Sequence, residues 1–520
     1  MSVRTRPAVP EPGRRLTAVG FDAIVIGGGF AGLSSAVALV EQGARVLVLE
    51  ARPALGGRAS AVRDPATGEK LDNGQHVLMG CYDATLSFLR RIGAADRVRW
   101  QAGLSLTMVG RDGHGSVLQL PPLAAPLHLM AGVLAWDALS WSEKASVLRV
   151  GAALRTRVER PVAGAEAPAL RTGSDAGTEV PALHGGTERW DTGTERRDTG
   201  TERRDTGTER RDAGTERRDF SPGVSASGRT VRQWLEQQGQ APRLIELFWE
   251  PLALAALNQP IDEAAVDTFL EVLSRMLGPE ADRASLVVPA VPLDELYAEP
   301  ARAWLEARGS EVRTRSAATI VVEHQRVRGV TVRGERIDAP IVVAGAPWFA
   351  LPSLFNPPPA ALADLLGRAR GTAGSPIVTV NLWYDRSVLD DMLIGLPGRV
   401  FQWAFDKARI FGRARSHLSM VSSGAAGVVL KARDELVAIA RRELEEAVPR
   451  AAGATMVGAT AVRERLATFS LAPGQPARPG TRTAVAGLLL AGDWVDTGLP
   501  ATIEGAVVSG QWAAEAARTG

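Results

Sequence analysis

Cysteine is almost absent from this chain. Cys81 is the only one, which excludes an intrachain disulfide and any cysteine-based metal site and fits a reducing cytoplasm. An excess of one charge is missing too: Lys and Arg number 60 against 58 Asp and Glu, a net charge of +2 over 520 residues. Nucleic-acid binding needs clustered basic faces, so no nucleic-acid partner is expected. Long apolar runs are also lacking. The longest stretch without Asp, Glu, Lys or Arg is Gly113 to Trp136, and Pro121, Pro122, Pro126 and two histidines make it a poor bilayer span. The start, MSVRTRPAVPEPGRR, has no apolar core and reads as neither signal peptide nor anchor. What remains is an ordinary globular composition, 45% hydrophobic and 23% charged, in a chain long enough for two domains or more.

Residues 191–218 read DTGTERR three times and then DAGTERR. No apolar residue recurs in the unit, so the seven-residue period has no coiled-coil seam, and each repeat carries a glycine. Residues 159–227 are therefore expected to be a disordered insertion. A partner-binding segment is the other reading. Residues 1–19 are expected to be a disordered tail.

The chemistry is concentrated near the start. FDAIVIGGGFAGLSSAVALVEQGARVLVLEARPALGGRAS contains an apolar strand, Phe21 to Ile26, then Gly27, Gly29 and Gly32 in a GxGxxG pattern, then a helix from about Ala31 to Gln42. A second strand, ARVLVLE, ends in Glu50, eighteen residues after Gly32. The glycines permit a tight turn, close backbone approach to a pyrophosphate, and tight helix–strand packing. The helix N-terminus offers N–H groups to phosphate, and Glu50 can accept from a ribose diol. Glu50 argues against a 2′-phosphate, so NADP is not expected at this site, while NAD and FAD remain open.

Six residues beyond Glu50 come Gly56, Gly57 and Arg58. This E-x5-GGR spacing resembles the flavin amine oxidase and carotenoid desaturase superfamily, in which the second loop wraps the FAD pyrophosphate. LAGDW, with Gly492 and Asp493, matches the late segment that returns to the cofactor in that superfamily, and the following helix, from about Pro500, would aim its positive end at the flavin. The resemblance implies FAD held by Gly27, Gly29, Phe30, Ala31, Gly32, Glu50, Gly57, Arg58, Gly492, Asp493 and Thr502. The implied fold is α/β: a discontinuous Rossmann-like FAD-binding domain over 20–110, 285–350 and 480–520, interleaved with a mainly helical (α+β) substrate domain over 111–284 and 351–479. Its Trp, Leu and Ala content suits either a greasy tunnel or plain core.

LDNGQHVLMGCYDATLSFLRRIG (Leu71–Gly93), IELFWEPLALAALN (Ile245–Asn258) and GLPATIEGAVVSG (Gly498–Gly510) closely resemble the bacterial hydroxysqualene dehydroxylases, squalene-associated FAD-dependent desaturases. That resemblance implies reduction of the C–O bond of hydroxysqualene to squalene, with hydride from reduced flavin meeting an allylic cation. A carotenoid-type desaturase or saturase is the runner-up, and a non-catalytic FAD-binding protein a third reading. His76 is the candidate proton donor to the leaving hydroxyl, or else a group that only bonds flavin or backbone. Asp72 either orients His76 or is structural, and Asp496 is expected near the ring. Glu250 and Asn258 could bond the substrate alcohol, with helix capping the alternative for Glu250. No second GxGxxG is present, so the external electron donor, NAD(P)H or a reductase, cannot be read. A long-chain isoprenoid substrate lies in the bilayer, so peripheral attachment to the inner membrane is expected. Val117–Trp141 is the candidate contact, with Trp136 and Trp141 at the interface, or else a substrate-domain core helix.

Overall fold

The computed structural model describes residues 20–158 and 228–519 apart from 66, 102, 122, 124–126, 279 and 281, with only the backbone of 151–158. The tail expected over 1–19 and the whole of the insertion expected over 159–227 lie outside the described residues.

Four short apolar runs explain the first sheet. AIVI (Ala23–Ile26), VLVL (Val46–Leu49), IVVA (Ile341–Ala344) and LLL (Leu488–Leu490) carry no inward–outward alternation, as suits strands covered on both faces. With Glu311–Arg313 they form a five-stranded parallel sheet in the order Glu311–Arg313, Val46–Leu49, Ala23–Ile26, Ile341–Ala344, Leu488–Leu490. The strand expected from Phe21 begins at Ala23, and the helix expected over Ala31–Gln42 spans Phe30–Glu41. A meander, Ala318–Glu323, Arg326–Val332 and Glu335–Asp338, precedes strand Ile341–Ala344 in the chain.

The first and the last described helices meet on this sheet. Helix Phe30–Glu41 packs on the last helix, Ile503–Arg518, so closely that a Cβ on Gly510 would stand 2.3 Å from the Ala31 carbonyl oxygen. Ser34 Oγ donates to Val507 O across the same crossing, at 3.0 Å. The last helix starts at Ile503 rather than at Pro500, because the Thr502 side chain accepts the Gly505 N–H and so caps it. Pro500 belongs to the preceding turn.

The other half is mainly helical among its described residues, as expected, and it also holds a seven-stranded sheet in the order Met456–Phe469, Gly374–Tyr384, His417–Ser422, Trp403–Asp406, Leu393–Gly395, Ser105–Val109, Gly115–Gln119. Its pairs are antiparallel except Leu393–Gly395 with Ser105–Val109. The boundary placed at residue 110 is therefore too late, since Ser105–Val109 already pairs in this second sheet. Helices Glu250–Leu257 and Val266–Met276 pack on each other, the first ending at Asn258 in the left-handed region (φ 50°). Among the described residues no helix is long and apolar enough to cross a membrane.

Candidate active site

A cavity of about 730 Å³ lies against both sheets. Its polar limb follows the ends of the parallel strands, where α/β folds bind ligands. Gly27 takes φ +110°, and a Cβ there would stand 2.8 Å from Gly345 O; one on Gly32 would stand 2.0 Å from Gly27 O. Both positions therefore need glycine for the chain to fold. Gly29 differs, because the nearest atom to a Cβ there is Gly57 Cα at 3.6 Å. The two glycine loops face each other across this gap. Gly29 caps helix Phe30–Glu41 without any side-chain bond, so its first N–H groups are available to an anion.

Glu50 is buried at the wall of this limb, its Oε2 accepting the Gly28 N–H at 2.8 Å and its Oε1 the Arg52 N–H at 2.9 Å. The carboxylate thus ties the first glycine loop to the second strand and keeps lone pairs for a diol. Arg58 pairs with Asp493, donates to Ala467 O at 3.0 Å, and lies over the Trp348 ring. It joins the second glycine loop to the late segment. Phe30, Ala31, Gly57, Gly492 and Thr502 also line the wall. Gly32 does not; its role is helix packing only. The sequence reading missed Tyr297, which stacks on Phe30 and donates its hydroxyl to Gly56 O at 2.6 Å, pinning the second loop.

The same cavity continues into an apolar chamber whose wall includes Leu104, Met108, Leu129, Leu247, Phe248 and, on the sheet, Trp403. Residues Asn73–Val77 and Leu499–Ile503 line the cavity as well. His76 lies here on a loop. Its Nδ1 is 2.9 Å from Gly74 O. A carbonyl only accepts, so Nδ1 carries the hydrogen and the neutral ring keeps a bare Nε2. Burial pushes its pKa below the ordinary histidine value; the Lys407 ammonium adds to this, and Asp72 and the Gly74 carbonyl oppose it.

The other catalytic candidates are elsewhere. Asp72 is off the wall, and neither oxygen serves His76: Oδ1 accepts the Leu293 N–H at 3.0 Å and Oδ2 the Lys407 ammonium at 2.9 Å. Asp496 is off the wall too, bonded to Arg478 at 3.0 Å and to the Gly498 N–H; Arg478 also donates to Leu499 O. This pair shapes the loop before Pro500 instead of meeting a ring. Glu250 neither reaches the cavity nor caps a free helix end, because a π-turn over Ile245–Trp249 runs straight into Glu250–Leu257; Pro251 and Leu252 face the chamber. Asn258 does line the cavity, but its Nδ2 donates to Ser375 O and Thr468 Oγ1 and its Oδ1 accepts the Gly424 N–H. It is a clamp.

Glu504 is a wall residue that sequence reasoning passed over, although an acid in the first turn of a buried helix is a signal. Its carboxylate accepts from Ala84 N, Thr85 N and Thr85 Oγ1 at 2.9, 2.9 and 2.7 Å. The proposed membrane segment divides: Trp141 is 77% and Leu127 50% exposed, whereas Trp136 is buried, donating to Ser116 Oγ, and Leu129 belongs to the chamber wall.

The sequence pattern of flavin containing amine oxidoreductases matches residues 30–179 and 227–518. The chain belongs to this family. FAD is its cofactor, and the paired glycine loops, the free helix N-terminus and buried Glu50 fit it. The chain is 28% identical to hydroxysqualene dehydroxylase of Rhodopseudomonas palustris over 94% of this chain and 97% of that protein. It is 23% identical to 15-cis-phytoene desaturase of Synechococcus elongatus, over 95% and 94% respectively, and 23% identical to that of Arabidopsis thaliana, over 98% and 81%. Solved structures share the fold: an oxidoreductase from Methanosarcina mazei (TM-score 0.64, 16% identity, 95% of this chain and 99% of that one) and cyclohexylamine oxidase from Brevibacterium oxydans (0.62, 17%, 96% and 99%). This flavin oxidoreductase thus joins a group that contains both desaturases and a dehydroxylase.

Proposed function

We propose that this flavoenzyme reduces hydroxysqualene to squalene. The observation that carries the reading is the apolar chamber continuous with the cofactor limb, which lets a polyprenyl chain and the flavin share one water-poor cavity. The near full-length similarity to the Rhodopseudomonas dehydroxylase supports it. When bound, reduced FAD supplies a hydride. The chain's own residues do the rest: the leucines and Phe248 hold the hydrocarbon and exclude water, and His76 meets the hydroxyl. Breaking the C–O bond requires a proton on oxygen, which His76 passes on, so that the oxygen leaves as water.

The reductant must come from outside, as NAD(P)H or a reductase. The substrate's poor solubility in water supports work at a membrane surface, and the exposed side chains Leu127 and Trp141 are the contacts this reading assigns. A phytoene-type desaturase is the second reading, favoured by the similarity to the Synechococcus enzyme; it would run the same cavity oxidatively. Anaerobic incubation with dithionite and hydroxysqualene should yield squalene. Desaturation of phytoene under an electron acceptor, with no squalene formed, would select the alternative.

A further inference from the structure

The proposed reaction consumes one proton per turnover inside an apolar cavity, and buried polar side chains lead away from that cavity. Along strand Gly374–Tyr384, alternate residues share a face. Ile377 is on the cavity wall, and Thr379, Asn381 and Trp383 follow it on the same face. Thr379 and Asn381 are buried, yet Thr379 Oγ1 and Asn381 Nδ2 have no hydrogen-bond partner. Native structures rarely leave such atoms unpaired without water.

The inner end of this row reaches the site. A Cβ on Gly74 would stand 3.7 Å from Thr379 Oγ1 and 4.0 Å from His76 Cε1, so the hydroxyl and the ring flank the same point. The outer end reaches the surface. His417 faces Trp383 across the strand pair, stacks on it, and bonds Asn381 Oδ1 through Nε2 at 2.9 Å. Its unpaired Nδ1 is 3.6 Å from Glu69 Oε2. Glu69 also accepts from Trp383 Nε1 at 3.4 Å, lies beside Arg413 and Arg415, and is about a fifth exposed.

We propose that this row, Glu69, His417, Asn381 and Thr379, is a hydrated proton path from solvent to His76. It rests on the dehydroxylase reading for its purpose. Same-face residues on a strand are roughly 6.6 Å apart, a gap that one water with two hydrogen bonds spans. One proton enters at Glu69 for each C–O bond broken and ends on the departing oxygen; the electron pair arrives as hydride from reduced flavin, itself reduced by the external donor. The waters carry the proton, while Asn381 and His417 hold them in place. His417 stays neutral, because burial and the Lys407, Arg413 and Arg415 charges push its pKa down to about 3. A fixed cation would otherwise block the path.

The test uses the FAD-loaded full chain. Photochemical reduction of the bound flavin takes up protons, and an indicator dye follows that uptake with no substrate present. Thr379→Val, which keeps the shape and removes the hydroxyl, should slow uptake by on the order of tenfold or more at unchanged flavin content. Thr379→Ser should restore it, which a merely structural threonine does not explain. Parental uptake in Thr379→Val overturns the path. Should that variant lose flavin, Glu69→Gln is decisive in the same assay, slowed uptake supporting the path and parental uptake overturning it. Squalene formation by the parent is scored separately, so a wrong substrate and a wrong path give different results.

Discussion

Asp72 and Lys407 stand 335 residues apart in the chain and 2.9 Å apart in the fold, both side chains almost fully buried. The ion pair fastens the strand before the His76 loop to the start of helix Lys407–Phe411, and Lys407 also donates to Gln75 on the cavity wall. Removing one member leaves the other charge buried alone. Lys407→Met or Asp72→Asn should each cost about 3–5 kcal/mol. Lys407→Met combined with Asp72→Asn should cost clearly less than the sum of the separate losses. Urea denaturation of the three variants measures this, and strictly additive losses would show that the two groups do not act as a pair.

Two glycines of one motif should fail differently. Gly32→Ala drives a Cβ into Gly27 O and should prevent folding, whereas Gly29→Val has room in the protein and narrows the gap to Gly57. Gly29→Val should therefore fold, by circular dichroism, yet purify without yellow colour. Full flavin content in that variant would remove the pyrophosphate from this gap.

The acid role of His76 has a definite pH sign. Burial lowers its pKa, so the ring is mostly neutral near neutrality and gains its proton as pH falls. Turnover should rise as pH drops through about 6.5 and level off only below the lowered pKa. His76→Gln should flatten that limb and reduce kcat by about 10²- to 10⁴-fold. A parental pH profile in this variant would leave His76 as a bonding group only.

His417 should make the fold acid-sensitive. Its folded pKa of about 3 lies below the unfolded value of about 6.5. The unfolded chain then binds the extra proton between these values, so stability is complete above about pH 6.5 and declines as pH falls towards 3. Glu504 and Asp406, whose pKa values burial raises, act in the opposite sense, so the comparison is parent against His417→Leu. The variant's melting temperature should depend less on pH over that interval.

Membrane contact can be tested on exposed side chains alone. Leu127→Asp with Trp141→Asp should weaken partition onto liposomes and leave flavin content intact, since both side chains are at least half exposed. Leu129→Asp puts a charge in the chamber wall and should disturb folding or turnover instead. Liposome binding equal to the parent's in the double variant would move the contact elsewhere.

Some of this was legible from residues alone. GxGxxG, Glu50 and GGR announce a dinucleotide slot because that chemistry uses backbone N–H groups, glycine freedom and one acid at a strand end, all close in sequence. The buried strand Ile341–Ala344 shows itself for a similar reason, as an uninterrupted apolar run. His76 could be placed at the cavity by resemblance, but its partners could not. Asp72 read as its helper or as a structural group, and the fold decided for the second by giving that carboxylate to Lys407, a lysine with no local mark of burial. Asp496 went to Arg478, and Trp136 to the core, for the same cause. The strand order of the seven-stranded sheet escaped because Ser105–Val109 pairs with Leu393–Gly395, and such pairing leaves no periodicity in either segment. Thr379 and Asn381 look like unremarkable strand residues in sequence. Only the tertiary structure, by removing water around them and setting Gly74 and His417 alongside, turns them into polar atoms that need a partner.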